Sequence, residues 1–408
     1  MGKIAKSIRN FAQNIISLSK HVDFTILITY VVLCLIGLVM IYSASMVAAT
    51  RGTLTNGQAV GASYFFVRQL FTIFLSFGIV FFLTYFFDVR ILKNRKVQQM
   101  MIVSIMVLLV ITRITAGNVN GAYSWLNLGF MQFQTSELLK IIAILYLAYI
   151  YDAKTRNGMQ IEKMNMEIFA PLILLGVCCG LVWIQNDTGT TMLVVAIIGS
   201  IFLYSGIAFK ALMKVLSIIF LGGIAIAFIN FLMYGKILQD YQLKRFTVIA
   251  NPFSDEAGDG YHLSNSLLAI GNGGLFGKGL GNGVMKLGYL PEPHTDFIFA
   301  VISEELGWVG VIFIISLLFY LVYRGFMYAA LTNNTFYKLT CVGVSSYIGI
   351  QAFINLGGIS GLIPLTGVPL PFLSYGGSSL ISLSIAIGLL LLVSKHINDD
   401  IAYKKRCI

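Results

Sequence analysis

Asp296, Glu304, Glu305 and a histidine stand in or beside an apolar run in "PEPHTDFIFAVISEELG", residues 291–307. A carboxylate at the edge of a membrane is partly desolvated. Desolvation raises its proton affinity and suits it to general-base chemistry. Asp296 is the candidate for that role, and His294 beside it is a candidate substrate contact. A plainer role is equally open, because Asp296 or Thr295 can cap the helix that follows. No Glu or Gln stands three residues after either one, so no capping box forms. Glu304 and Glu305 lie about two turns further in, at about 1.5 Å per residue. An acid at mid-membrane costs on the order of 3 kcal/mol, which marks a paired or functional group. Pairing with a cation from another span, in a supporting role, is the favoured reading of these two.

Other polar groups fall at the same depth. In "NGAYSWLNLGFMQFQTSELLK", residues 120–140, Glu137 and Lys140 are one helical turn apart and can pair. Trp125 precedes them in a Gly-rich loop, where it is an interfacial anchor or a substrate contact. In "QNDTGTT", residues 185–191, Asp187 caps the next helix or joins the site. Lys244 and Arg245 precede "NPF", and Arg suits phosphate through paired hydrogen bonds. Cations near carboxylates in one half of the membrane point to an anionic, phosphate-bearing substrate approached from outside or from the outer leaflet.

These residues need a frame to hold them. The chain has 408 residues, 57% hydrophobic and only 11% charged. Soluble proteins carry about a quarter charged residues and lack apolar runs of about 18 or more. The fold class is therefore an all-α polytopic membrane protein. Apolar runs recur near residues 24–46, 66–87, 97–115, 134–151, 167–184, 189–206, 211–234, 297–323, 338–357 and 376–394, about ten spans. Residues 1–23 read as a basic cytoplasmic segment and 24–395 as one ten-span membrane domain. Residues 235–295 form a large extracellular loop between helices 7 and 8, and 396–408 a basic cytoplasmic tail. An apolar helical pattern from Leu263 to Ile270 predicts a re-entrant or interfacial helix inside that loop. The first run, Phe24 to Tyr42, has no good cleavage site before it and is read as a retained span.

The net charge of +11 collects in alternate short connections, at Lys20, Arg90, Lys93, Arg95, Lys154, Arg156, Lys210 and Arg324. That bias puts both termini in the cytoplasm and argues against nucleic acid as a partner. The five cysteines and four histidines show neither disulfide nor metal-ligand spacing. Cys407 is misplaced for prenylation. "GKGLGNG", residues 277–283, imitates a phosphate loop, but Gly279 stands where Ser or Thr is needed.

Together with "GYHLSNSLLAIGNGGLFGKGLG" and "PLTGVPLPFLSYGGSS", these motifs closely resemble the shape, elongation, division and sporulation (SEDS) family of bacterial membrane proteins. The resemblance runs through nearly the whole chain, in order. It is nearest the division-type branch from a Gram-positive bacterium, with the elongation type as sister branch. It implies ten spans and a peptidoglycan glycosyltransferase that polymerises lipid II on the outer face during septal cell-wall synthesis. It implies Asp296 as the catalytic residue, activating an acceptor sugar hydroxyl for attack on the donor's anomeric carbon. The lipid diphosphate would leave, with Lys140 and Arg245 as stabilisers. It also implies a class B penicillin-binding transpeptidase and other divisome membrane proteins as partners. No cofactor is bound tightly, and a divalent cation, Mg or Mn, supports activity. Ser124 stands where some relatives have Arg, and Asn186 where many have Pro. An elongation-type polymerase, a lipid II flippase and a scaffold for a transpeptidase are the alternatives. The concentration of candidate residues in the outer half favours the enzyme over a transporter, which needs charge along its whole path.

Overall fold

The computed structural model describes residues 20–54, 57–117, 122–127, 129, 132–156, 166–206, 213, 217, 248, 249, 251–255 and 260–406. The elements are α1 (Phe24–Thr50), α2 (Tyr64–Tyr85), α3 (Arg95–Thr115), a hairpin of β1 (Trp125–Asn127) and β2 (Gln132–Gln134), α4 (Thr135–Arg156), α5 (Met166–Ile184), α6 (Thr188–Tyr204), α7 (Tyr261–Asn272), α8 (Ile298–Leu331), α9 (Thr335–Ile359) and α10 (Gly377–Arg406). Six of these helices are long and apolar enough to cross a membrane, and α5 and α6 are shorter apolar helices. The 22-residue α4 is diluted by Glu137, Lys140, Asp152, Lys154 and Arg156. Its length of about 33 Å still suffices to span. Every expected span thus has its helix, except the one near 211–234, of which only residues 213 and 217 are described. A helix, α7, covers Leu263–Ile270, where a re-entrant or interfacial one is expected.

The helices divide into a centre and a rim. In their most apolar stretches α9 and α10 are 78% and 83% buried, whereas α2 is 22% and α3 28%. The rim helices turn Phe71, Phe74 and Ile114 outward, as lipid-facing helices should. The centre is built on small residues that allow close approach. A Cβ on Gly343 of α9 would sit 2.6 Å from Ile144, and one on Gly388 of α10 would sit 2.8 Å from Leu83.

Short polar residues start several helices by accepting from their first free N–H groups. Asp23 accepts from Thr25 N–H (3.0 Å), Asn94 from Lys96 N–H (2.9 Å) and Asn334 from Tyr337 N–H (3.3 Å). At this same end Asp23 also binds Arg324 and Tyr328 of α8, and Asn398 of α10 donates to the His21 carbonyl (2.8 Å). Asp296 stands at the opposite end of α8.

Candidate active site

The site is assembled from the segment before α8, the loop between α9 and α10, and the ends of α4 and α6. The break in α8 sets the first of these. At Gly307 the helix adopts φ +65°, ψ −168°, a backbone state open to glycine. The break frees backbone groups deep in an apolar setting, where each must find a partner. The preceding Gly-rich loop supplies them. Lys278 and Gly279 N–H donate to the Glu304 and Glu305 carbonyls (2.9 and 3.0 Å). Trp308 and Val309 N–H donate to the Gly274 and Leu275 carbonyls (3.0 and 3.2 Å). Side chains at Gly273 or Gly277 would collide with the carbonyls of Ser303 and Glu305. This explains Gly277, the first glycine of the false phosphate loop.

The two acids clamp the same loop. Glu304 accepts from Lys278 Nζ (3.0 Å) and from the N–H groups of Val284 and Met285 (3.1 Å each). Glu305 accepts from Lys286 Nζ (2.6 Å), Ser43 Oγ of α1 (2.8 Å) and Gly281 N–H (3.1 Å). Both carboxylates are fully buried. Pairing is therefore the role seen, but the cations come from the loop and not from another span.

Asp296 is different. The N-cap of α8 is Phe297, and no side chain caps that helix end. Capping, one of the two readings open to Asp296 from sequence, is thus not what it does here. No hydrogen bond to its carboxylate is found among the described residues, and its Oδ2 lies 3.5 Å from where a side chain would begin at Gly367. Gly367 has φ +70°, so the loop presents bare backbone to the acid. The acid's own backbone is tightly held. Asn355 Nδ2 donates to the Asp296 carbonyl (2.9 Å) and to the Val368 carbonyl (2.8 Å). Ser374 Oγ donates to the Thr295 carbonyl (2.7 Å), and Tyr375 N–H to the His294 carbonyl (2.9 Å).

The electrostatics follow from that packing. Burial, with the Glu292 carboxylate as a second cause, pushes Asp296 up from 3.8 to about 7. No cation among the described residues offsets this. His294 is buried between Phe65 and Tyr375, with ring centroids 4.5 and 5.3 Å away. Its Nδ1 has no hydrogen-bond partner among the described residues, and burial lowers the imidazole to about 4. His262 of α7 packs on Phe297 (6.3 Å between ring centroids) and is likewise lowered by burial. Both imidazoles are neutral at pH 7. A carboxyl that titrates near 7, partly accessible and without a protein partner, can accept a proton from a bound hydroxyl.

The remaining candidates converge on the same loop from behind. Lys140 and Glu137 pair at 2.7 Å and are buried in the bundle. Lys140 also reaches Gln351 Oε1 (3.3 Å), and Tyr347 OH donates to Glu137 (3.1 Å). Gln351 Nε2 in turn donates to the Pro369 carbonyl (2.9 Å), two residues from Gly367. Asp187 caps α6 through Thr190 N–H (3.1 Å) and accepts from Gln134 Nε2 (2.6 Å) and Ser136 Oγ (3.3 Å). A Cβ on Gly189 of the same turn would lie 2.6 Å from the Thr366 carbonyl. Trp125, partly exposed, pairs with Gln134 across the hairpin. Ser124 is fully buried, so it supplies no exposed substitute for the Arg of some relatives. Arg245 lies outside the described residues. Sequence reasoning missed Asn355, Gly367 and Ser374, which carry no charge.

Among the described residues no three His, Cys, Asp or Glu side chains come together as a metal site. Glu304, Glu305 and Asp187 are already engaged by protein donors, so these groups do not fit a cation cage.

Comparison with known proteins bears on what this arrangement does. The profile of the cell cycle protein family FtsW/RodA/SpoVE matches residues 24–399. A relative from Bacillus subtilis (strain 168), named probable peptidoglycan glycosyltransferase FtsW, is 40% identical over 392 residues, covering 95% of this chain and 94% of its own. One of the same name from Enterococcus hirae is 38% identical over 386 residues, covering 93% of each chain. Among solved structures, a chain from work on structural coordination of polymerization and crosslinking by a peptidoglycan synthase complex superposes with a TM-score of 0.73. It is 25% identical and covers 93% of this chain and 99% of its own. The rod shape determining protein RodA of Thermus thermophilus gives a TM-score of 0.63 at 25% identity, covering 92% and 97%.

Proposed function

This chain belongs to the FtsW/RodA/SpoVE family of cell cycle proteins, and from that premise we propose that Asp296 is the general base of its reaction. The chain is a multi-pass membrane peptidoglycan glycosyltransferase of the division type. The proposed substrate is lipid II, taken from the outer leaflet, with both termini in the cytoplasm and residues 235–295 outside. Asp296 takes the proton of the acceptor's sugar hydroxyl as that oxygen attacks the anomeric carbon of the donor. The donor's bond to its lipid diphosphate breaks with inversion. The diphosphate leaves as a stable anion and needs no acid, so one carboxylate suffices.

The observation that carries this reading is the carboxylate of Asp296. It caps nothing, binds no protein donor among the described residues and is pushed up to about 7 by burial. Glu304, Glu305, Asp187 and the Glu137–Lys140 pair support the loops around it. Trp125 and Arg245 keep the proposed role of substrate contacts. A class B transpeptidase is the proposed partner, in keeping with the synthase complex to which this fold is similar. The division septum is the proposed site of action, alongside other divisome proteins.

The test is glycan polymerisation from lipid II by the purified protein with its partner, the partner's transpeptidase blocked. Asp296→Asn keeps the size but cannot accept a proton. It should lose on the order of a hundredfold to ten-thousandfold in rate while inserting and binding its partner normally. Polymer at near the wild-type rate would end the general-base assignment.

A further inference from the structure

The end of the bundle remote from Asp296 holds an apolar cleft of about 260 Å³ between α1, α2 and α10. Its walls are Leu27, Tyr30, Phe77, Val80, Phe81 and Leu391, and its rim is Thr84 and Tyr85. Phe81 is 42% exposed while Tyr30 is fully buried, so the cleft runs from the lipid-facing surface inward. A lipid-facing cleft in a membrane is filled by hydrocarbon, because no other apolar solvent is present.

The rim adds a specific feature. Lys395 of α10, one turn beyond Leu391, reaches the Thr84 carbonyl at 3.5 Å and lies 5.9 Å from the centre of the Tyr85 ring. That single long hydrogen bond leaves the ammonium's other donors free for an anion. The acid one turn further along the helix, Asp399, attracts the Lys395 ammonium without hydrogen-bonding it and also lies 3.6 Å from His21 Nε2. Exposed Lys20 and half-buried His21 also lead directly into Val22, another wall of the cleft. An apolar slot closed by a cation matches the two halves of one amphiphile.

We propose that this cleft binds one anionic phospholipid from the leaflet on the side of the termini, an acyl chain between α1, α2 and α10 and its phosphate on Lys395. The glycosyl transfer at Asp296 does not use this site, which lies in the opposite leaflet. Native mass spectrometry of the full chain, purified in detergent and offered equal phosphatidylglycerol and phosphatidylcholine, tests it. The wild type should retain one phosphatidylglycerol with about fivefold preference, the effect of one Lys close to an anionic headgroup. Lys395→Gln should bring the two lipids to parity. Leu27→Trp, which fills the slot from its lipid-facing wall, should abolish retention of both. Equal retention by the wild type, or an unchanged preference in Lys395→Gln, overturns the proposal. The Lys395→Gln arm stands even if Leu27→Trp does not fold.

Discussion

Replacing Asp296 by Asn should stabilise the protein above neutral pH while destroying its activity. The carboxyl titrates near 3.8 when unfolded and at about 7 in the fold. Between those values the folded state holds a proton that the unfolded chain has released. Stability is therefore complete below 3.8 and is lost as pH rises through about 7. At about 1.4 kcal/mol per pH unit the interval corresponds to about 4 kcal/mol as an upper limit. The group is partly exposed, and solvent screening reduces the effect to about 1–2 kcal/mol. Asn carries no charge and escapes the penalty. Thermal unfolding of the purified protein at pH 8.5 should show the variant a few degrees, about 2–4 °C, above wild type. At about pH 3.5 the two should coincide, because the wild-type carboxyl is then largely protonated in the folded and the unfolded chain alike. A variant less stable than wild type at both pH values would mean that Asp296 serves the fold, and the electrostatic account would fall.

The polymerisation rate should rise with pH with a midpoint near 7, since the base must be ionised. Glu292→Gln removes the nearby negative charge and should lower that midpoint by about half a pH unit. A midpoint that stays put would show the neighbour to be irrelevant. Glu305→Ala leaves Lys286 buried against Ser43 alone and should cost about 3–5 kcal/mol in thermal stability. Glu305→Gln combined with Lys286→Met should recover most of it. Lys140→Ala should be similarly costly, whereas Glu137→Gln with Lys140→Gln should melt near wild type. Polymerisation by that double variant then decides between pairing and contact with substrate, recovery excluding the contact.

The sequence was informative where the signal is local. Helix boundaries follow from apolar runs, and Glu137–Lys140 follows from helical spacing. The partners of Glu304 and Glu305 were not legible. Polarity says that a buried acid needs a cation, but not that Lys278 and Lys286 of the preceding loop supply it. Nor could the break at Gly307 be seen, since a glycine within an apolar run looks like any other small residue of a packed helix. Asn355, Gly367 and Ser374 escaped for a related reason. They hold Asp296 through backbone carbonyls and a bare loop, and such contacts leave no charge or periodicity to read.

The break at Gly307 also constrains how the chain can vary. Residues 274–279 and 304–309 share a backbone register as fixed as that of two paired strands, though neither is a strand. Between them, residues 280–303 form a closed ring whose length is set by that register at both ends. Adding or deleting one residue inside either paired segment shifts every donor past its acceptor and unpairs the backbone groups at the break. The chain is therefore least tolerant of length change in a loop that, by composition alone, looks like its most dispensable part.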